Sequence, residues 1–175
     1  MKRIPLNLLA KIESRTGANE YLKQAGDAVL IYRGIPRLLI LKCPCGCGEN
    51  FPVNLDSRAG KAWRLYIERG QKLTVYPSVW RDTDCQSHFV LRRNVILLFS
   101  YDGDGMREPF DAEIIEISKR VMEVWPQIGY KNYVEVADQL KEIPWDVLDA
   151  CEYLVQQNLL IRGTGKLRGQ FAKQG

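Results

Sequence analysis

Residues 36–55 read PRLLILKCPCGCGENFPVNL. Two short apolar runs, PRLLILK and FPVNL, flank a turn in which Cys43, Cys45 and Cys47 alternate with Pro44 and Gly46. Short apolar and β-branched runs bounded by Gly, Pro and Asn are the signature of strands, so the stretch predicts two strands joined by a cysteine-bearing turn. The same texture extends to either side: AVLIYRG (28–34), WRLYIE (63–68), KLTVYPSVW (72–80), HFVLRR (88–93) and VILLFS (95–100). Turn signals separate them at Arg33 and Gly34, at 46–50, at Arg69 and Gly70, and at Arg93 and Asn94. The prediction is an antiparallel β module. Before it, residues 7–25 read as a helical lead-in, because Leu8, Leu9, Ile12, Tyr21 and Leu22 recur at loosely helical spacing.

After YDGDGMREP (101–109), rich in Gly and Asp, the period changes. That stretch lacks the further ligands and closing Glu of a calcium loop and reads as a connector. Ile114, Ile115, Ile117, Val121, Met122 and Trp125 then fall on one helical face, with Asp111 and Glu113 at its start. A second helix is expected over 133–141. A third spans 145–157, with Pro144 at its first turn. Two short strands around Gly163 and Gly165 complete a pattern like a winged helix-turn-helix. The fold class expected is α+β: a small antiparallel β metal-binding module (1–100), a linker (101–110) and a winged-helix-like module with a basic tail (111–175).

The chain has 175 residues and a net charge of +4, unevenly spread. Residues 1–104 carry 16 Lys and Arg against 10 Asp and Glu, residues 105–157 carry 5 against 11, and the tail adds Arg162, Lys166, Arg168 and Lys173. No apolar run has the length of a membrane span, and the apolar patch after the basic start ends at Lys11. These features imply a cytoplasmic protein without a membrane role. In a reducing compartment a cysteine cluster points to metal or catalysis before disulfides.

Thirty-seven residues separate Cys47 from Cys85, which forms a Cys-x-x-His pair with His88, the one histidine in the chain. Two ligand-bearing turns separated by β structure are how small metal sites are built, and glycines between cysteines permit the tight backbone that lets thiolates converge. Cys43, Cys45, Cys47, Cys85 and His88 are therefore the candidate metal ligands. Zinc is the expected ion, and an iron–sulfur cluster related to the Rieske pattern is the alternative. Five candidates for four tetrahedral positions leave one spare, expected within the triplet. The protein is expected to be non-catalytic, with Cys47 the candidate if a thiol proves reactive. Cys151, amid LDACEYL, reads as a core residue. With His88 assigned to metal, no histidine remains to activate Ser78 or Ser87, which argues against a serine triad.

Trp63, Tyr66, Tyr76, Trp80 and Phe89 alternate with arginines and lysines, a pattern that serves single-stranded nucleic acid or, as preferred here, a half-buried β surface. In the helical module the recognition position carries Asp146, Asp149 and Glu152 where a DNA reader would place basic or amide side chains. Protein binding is preferred to DNA binding on that ground.

The block GIPRLLILKCPCGCG … NLDSRAGKAWRLY … LTVYPSVWRDTDCQSHF, within 27–98, resembles an uncharacterised bacterial family of cysteine-rich proteins. The resemblance implies an association with bacterial ubiquitin-like conjugation operons, and hence partners such as a ubiquitin-like protein or its activating and conjugating enzymes. It carries over the metal positions and no activity. The leading expectation is a zinc-binding adaptor or ligase-like accessory protein in such a system. A zinc-containing winged-helix regulator that binds nucleic acid is the second, and a small iron–sulfur redox protein the third.

Overall fold

A computed structural model of the chain describes residues 2–81, 84–99 and 110–174. The chain divides into two compact units, Met1–Gly105 and Met106–Gly175. The expected linker at 101–110 lies, except for Phe110, outside the described residues.

The first unit is built of β1 (Lys2–Pro5), β2 (Asn7–Ile12), the short α1 (Ala18–Tyr21), β3 (Asp27–Arg33), β4 (Ile35–Lys42), β5 (Asn50–Asn54), β6 (Arg64–Glu68), β7 (Lys72–Trp80), β8 (His88–Arg92) and β9 (Val95–Leu98). They form a five-stranded sheet of order β1-β9-β8-β7-β6 and a four-stranded sheet of order β2-β3-β4-β5. One apolar cluster takes residues from both: Ala28, Leu30, Leu39 and Leu41 from the smaller sheet meet Val75, Val79, Phe89, Leu91 and Ile96 from the larger. Strand alternation explains the split, since every second residue points to the same face. The other face of β3 and β4, with Val29, Ile31 and Ile40, is closed by Ala18 and Leu22. A strand covered on both sides reads as an unbroken apolar run, as AVLI does.

The expected helical lead-in is instead mostly strand. Residues 2–5 and 7–12 are strands, and the only helix of the segment is a single turn at 18–21. β1 pairs with β9, and β2 lies parallel to β3. Both partners are distant in sequence, and a short apolar run does not reveal whether its backbone bonds close locally or across a sheet.

The ladder between β7 and β8 is irregular. From Val75 to Val79 β7 uses four residue steps where β8 uses two, Leu91 to Phe89. The surplus falls at Tyr76, Pro77 and Ser78, and pairing with β6 stops at Tyr76. Such bulges re-aim side chains and end ladders, and Pro77 has no N–H to give one.

The second unit comprises α2 (Ala112–Val124), β10 (Lys131–Asn132), α3 (Tyr133–Leu140), α4 (Pro144–Gln156), β11 (Leu160–Arg162) and β12 (Gln170–Lys173), with sheet order β10-β12-β11. Asp111 caps α2 by accepting the Ile114 N–H at 2.9 Å, and Asn132 caps α3 through Val134 N–H at 2.8 Å. Ile117, Val121, Trp125, Val147, Cys151, Leu154 and Phe171 form its core. Asp146 and Glu152 are buried instead of lining a solvent face, and both Glu152 oxygens accept hydrogen bonds from Arg162 on β11. Among the described residues no helix is long and apolar enough to cross a membrane.

Candidate functional site

Two groups of reactive side chains lie at the end of the larger sheet where β7 finishes and β8 begins. The first is a cluster of thiols. Cys43 follows β4, and its N–H donates to the Glu49 carbonyl at 2.8 Å, closing the loop that carries Cys45 and Cys47. Gly46 and Gly48 have φ of 89° and 85°, conformations a side chain would strain. The loop thus folds back on itself, and Cys47 N–H points at the Cys45 sulfur, 3.4 Å away. Cys85 arrives from the turn before β8. The sulfurs of Cys43, Cys45, Cys47 and Cys85 all lie within 4.8 Å of one another, close enough to hold a metal ion.

All three cysteines of the triplet belong to this set. The fifth sequence candidate, His88, stands outside it. The cause is strand alternation: Ser87 turns inward and His88, the next residue, turns outward. Ser87 is buried, and its hydroxyl lies 3.3 Å from Cys43 Sγ and 3.1 Å from Cys85 Sγ. Burial pushes the Cys43 thiol up to about 12. Burial also pushes Cys85 up, but hydrogen bonds from the Ser87 hydroxyl and backbone N–H, with the neighbouring thiols, outweigh it and bring Cys85 down to about 6. Cys85 is thus held below the ordinary thiol value while Cys43 is held above it, and a lowered thiol is the form that soft cations favour. Cys151 is in the core of the second unit, where burial raises its thiol well above the usual range.

The second group corrects the expectation that no histidine is free for a serine. His88 Nε2 lies 3.1 Å from Ser78 Oγ. Ser78 sits on the bulged end of β7, beyond the reach of β6, and its carbonyl accepts the Trp63 indole N–H at 3.2 Å. His88 is opposite Trp80 in the β7–β8 ladder, and its carbonyl accepts the Phe99 N–H at 2.9 Å. The imidazole is flanked by the rings of Phe99 and Trp80, with centroids 4.7 and 6.1 Å away. Trp80 is 66% exposed and Phe99 44%. Ser78 and His88 thus form a hydrogen-bonded serine–histidine pair. With its proton on Nδ1 the ring accepts the Ser78 hydroxyl hydrogen, the contact by which a histidine activates a serine nucleophile. The signal was available in sequence: alternation along HFVLRR separates His88 from Ser87, and therefore from the cysteines.

Comparison with known proteins bears on this unit. Residues 16–99, just under half of the chain, match the family model described as bacterial ubiquitination-like system serine protease (BubE). The match covers both groups of side chains, ties this unit to bacterial ubiquitination-like systems, and thereby implies protein partners. The chain is also 25% identical to imidazole glycerol phosphate synthase subunit HisF of Prochlorococcus marinus (strain NATL1A), over 91% of this chain and 70% of that protein. At that identity no residue role is carried across. No solved structure matches.

Proposed function

We propose that the first unit is a serine peptidase of a bacterial ubiquitination-like system, with Ser78 as nucleophile and His88 as its base. The observation that carries the reading is the 3.1 Å contact between Ser78 Oγ and His88 Nε2 on the outer face of the sheet. The description of the matched family is consistent with it. Ser78 Oγ attacks the scissile carbonyl while its proton passes to His88 Nε2, and the imidazolium then gives that proton to the leaving amine. Water, deprotonated by the same nitrogen, cleaves the acyl-enzyme ester, releases the carboxylate product and restores Ser78. The substrate class is a ubiquitin-like protein or its conjugate. This reading replaces the non-catalytic adaptor, which assumed His88 was held by metal, and it leaves Cys47 with no nucleophilic role.

The four-cysteine cluster is read as a structural zinc site. A tetrahedron with Zn–S bonds of about 2.3 Å sets its sulfurs roughly 3.8 Å apart, the scale of the 3.4 and 3.6 Å contacts that Cys43 makes with Cys45 and Cys85. A site closed by four thiolates supplies folding energy and leaves no position for substrate. The second unit is read as a winged helix, supported by its helix–strand–helix–helix–hairpin order and the β10-β12-β11 sheet. Protein binding suits it better than DNA, because Arg162 of the hairpin is engaged by Glu152.

A fluorophosphonate probe tests the peptidase reading directly. Mass spectrometry should place a single adduct on Ser78, absent in Ser78→Ala. The wild type should also trim a C-terminally extended ubiquitin-like protein from such a system. An intact Ser78 in fully folded, probe-treated protein removes the reading.

A further inference from the structure

Ser87 touches the thiol cluster with its side chain and is the chain neighbour of His88. It is 4% exposed, and its hydroxyl reaches two sulfurs, those of Cys43 and Cys85. Its carbonyl accepts the Arg81 N–H at 2.9 Å, which fastens the end of β7 to the start of β8. Its peptide neighbour is His88. Before Ser87 the chain turns through Asp84 and Gln86, both at positive φ (53° and 50°), and the paired part of β8 begins at His88. The residue just before β8 is thus held on its inward side by sulfur contacts, and the first residue of β8 presents its imidazole to Ser78.

One hydroxyl carries one proton, so it can donate to only one of the two sulfurs at a time. Which sulfur takes it, and where the oxygen sits, depends on how the four sulfurs are arranged. A bound ion fixes that arrangement, and groups around metal ligands are oriented by the same contacts with which they orient the ligands. A shift of Ser87 would pass through one peptide unit to His88, whose 3.1 Å separation from Ser78 lies within the range for proton transfer.

We propose that Ser87 is a positioning residue that couples metal occupancy of the four-cysteine site to the geometry of the Ser78–His88 pair. The proposal rests on reading that pair as the reacting groups, and its test keeps the two apart. The chain has a single histidine, so ¹⁵N-histidine labelling reports on His88 alone. His88 spectra and fluorophosphonate labelling rates are recorded for protein loaded with Zn²⁺, for protein loaded with Cd²⁺, which lengthens the metal–sulfur bonds while keeping four ligands, and for Ser87→Ala and Ser87→Thr.

The expected result is an altered imidazole signal in the Cd²⁺ form and in Ser87→Ala. Labelling of Ser87→Ala should fall by about 10–100-fold, the usual effect of losing such a supporting contact, and Ser87→Thr should restore much of it. Identical His88 signals in the Zn²⁺ and Cd²⁺ forms overturn the coupling, whether or not Ser87→Ala folds. Unchanged His88 signals and labelling in a folded, metal-loaded Ser87→Ala overturn it equally. Altered signals together with no adduct on wild-type Ser78 uphold the coupling and remove the peptidase reading.

Discussion

Replacing His88 by Ala separates catalysis from stability. The imidazole is half-buried on the outer face of the sheet, and the buried cluster between the sheets does not include it. Its packing is the Phe99 ring at 4.7 Å, an aromatic contact worth about 0.5–1.5 kcal/mol. For a unit of this size that lowers the melting temperature by roughly 4–8 °C per kcal/mol. The kinetic loss is larger. A positioned general base contributes about 10²–10⁴ in rate, which at 1.36 kcal/mol per tenfold is about 3–5 kcal/mol of barrier. Fluorophosphonate labelling of His88→Ala should therefore slow at least about a hundredfold, while circular dichroism shows a folded protein and calorimetry a modest drop in melting temperature. A variant that labels within about threefold of wild type would refute the base assignment, because the 3.1 Å contact would then have no catalytic meaning.

Further outcomes rest on the same geometry. Phe89→Ala removes a ring that is 1% exposed and packed edge-on against Phe51, and urea unfolding should register a loss of about 3–5 kcal/mol; under about 1 kcal/mol would contradict the packing. Cys43→Ser should cost more zinc affinity than Cys47→Ser, because Cys43 is buried and Cys47 exposed, and competition with a chromogenic chelator measures the difference. Zinc affinity should climb about tenfold or more per pH unit from pH 6 to 8, since the Cys43 proton, held up to about 12, must leave on binding; a flat profile would mean the thiol is already ionised. Asp27 is buried, and although burial alone would raise its pKa, the N–H groups of Gln24 and Lys23 hold it below the ordinary carboxylate value. It therefore stabilises the fold above about pH 4 and loses that contribution as the pH falls through its lowered value, so an acid-unfolding series on Asp27→Asn should lack this step.

Most of the β unit is legible along the chain because its strands are short apolar runs fenced by turn residues. AVLIYRG became β3, KLTVYPSVW became β7, and the hairpin at Arg93 and Asn94 takes the positive φ its residues allow. The helices of the second unit are equally readable from periodicity, from Asp111 and Glu113 at the start of α2 and from Pro144 at the start of α4. The N-terminal strands are not, since Lys2–Pro5 pairs with Val95–Leu98 across more than ninety residues and nothing local records it. The convergence of the cysteines was legible because thiols are chemically rare side chains and here fall in a constrained spacing. His88 lies outside the cluster although its spacing suggested otherwise: Cys-x-x-His spacing suits a turn, but here the histidine opens a strand, where neighbours face opposite ways. The acidic residues of α4 looked like a solvent face because spacing along a helix does not show what a neighbouring strand brings, in this case Arg162.

The two surplus residue steps in β7 have a consequence for how such a protein can change. Excising Tyr76 and Pro77 would bring Val75 and Val79 into regular register with Leu91 and Phe89 and set Ser78 opposite Val90, inside an uninterrupted ladder. Every core side chain would keep its face, yet the serine would no longer stand where His88 reaches it. A deletion of two residues would thus part the serine from the imidazole on the same scaffold. On the peptidase reading, a variant lacking Tyr76 and Pro77 should keep its fold and its cysteine cluster while losing fluorophosphonate labelling of the serine.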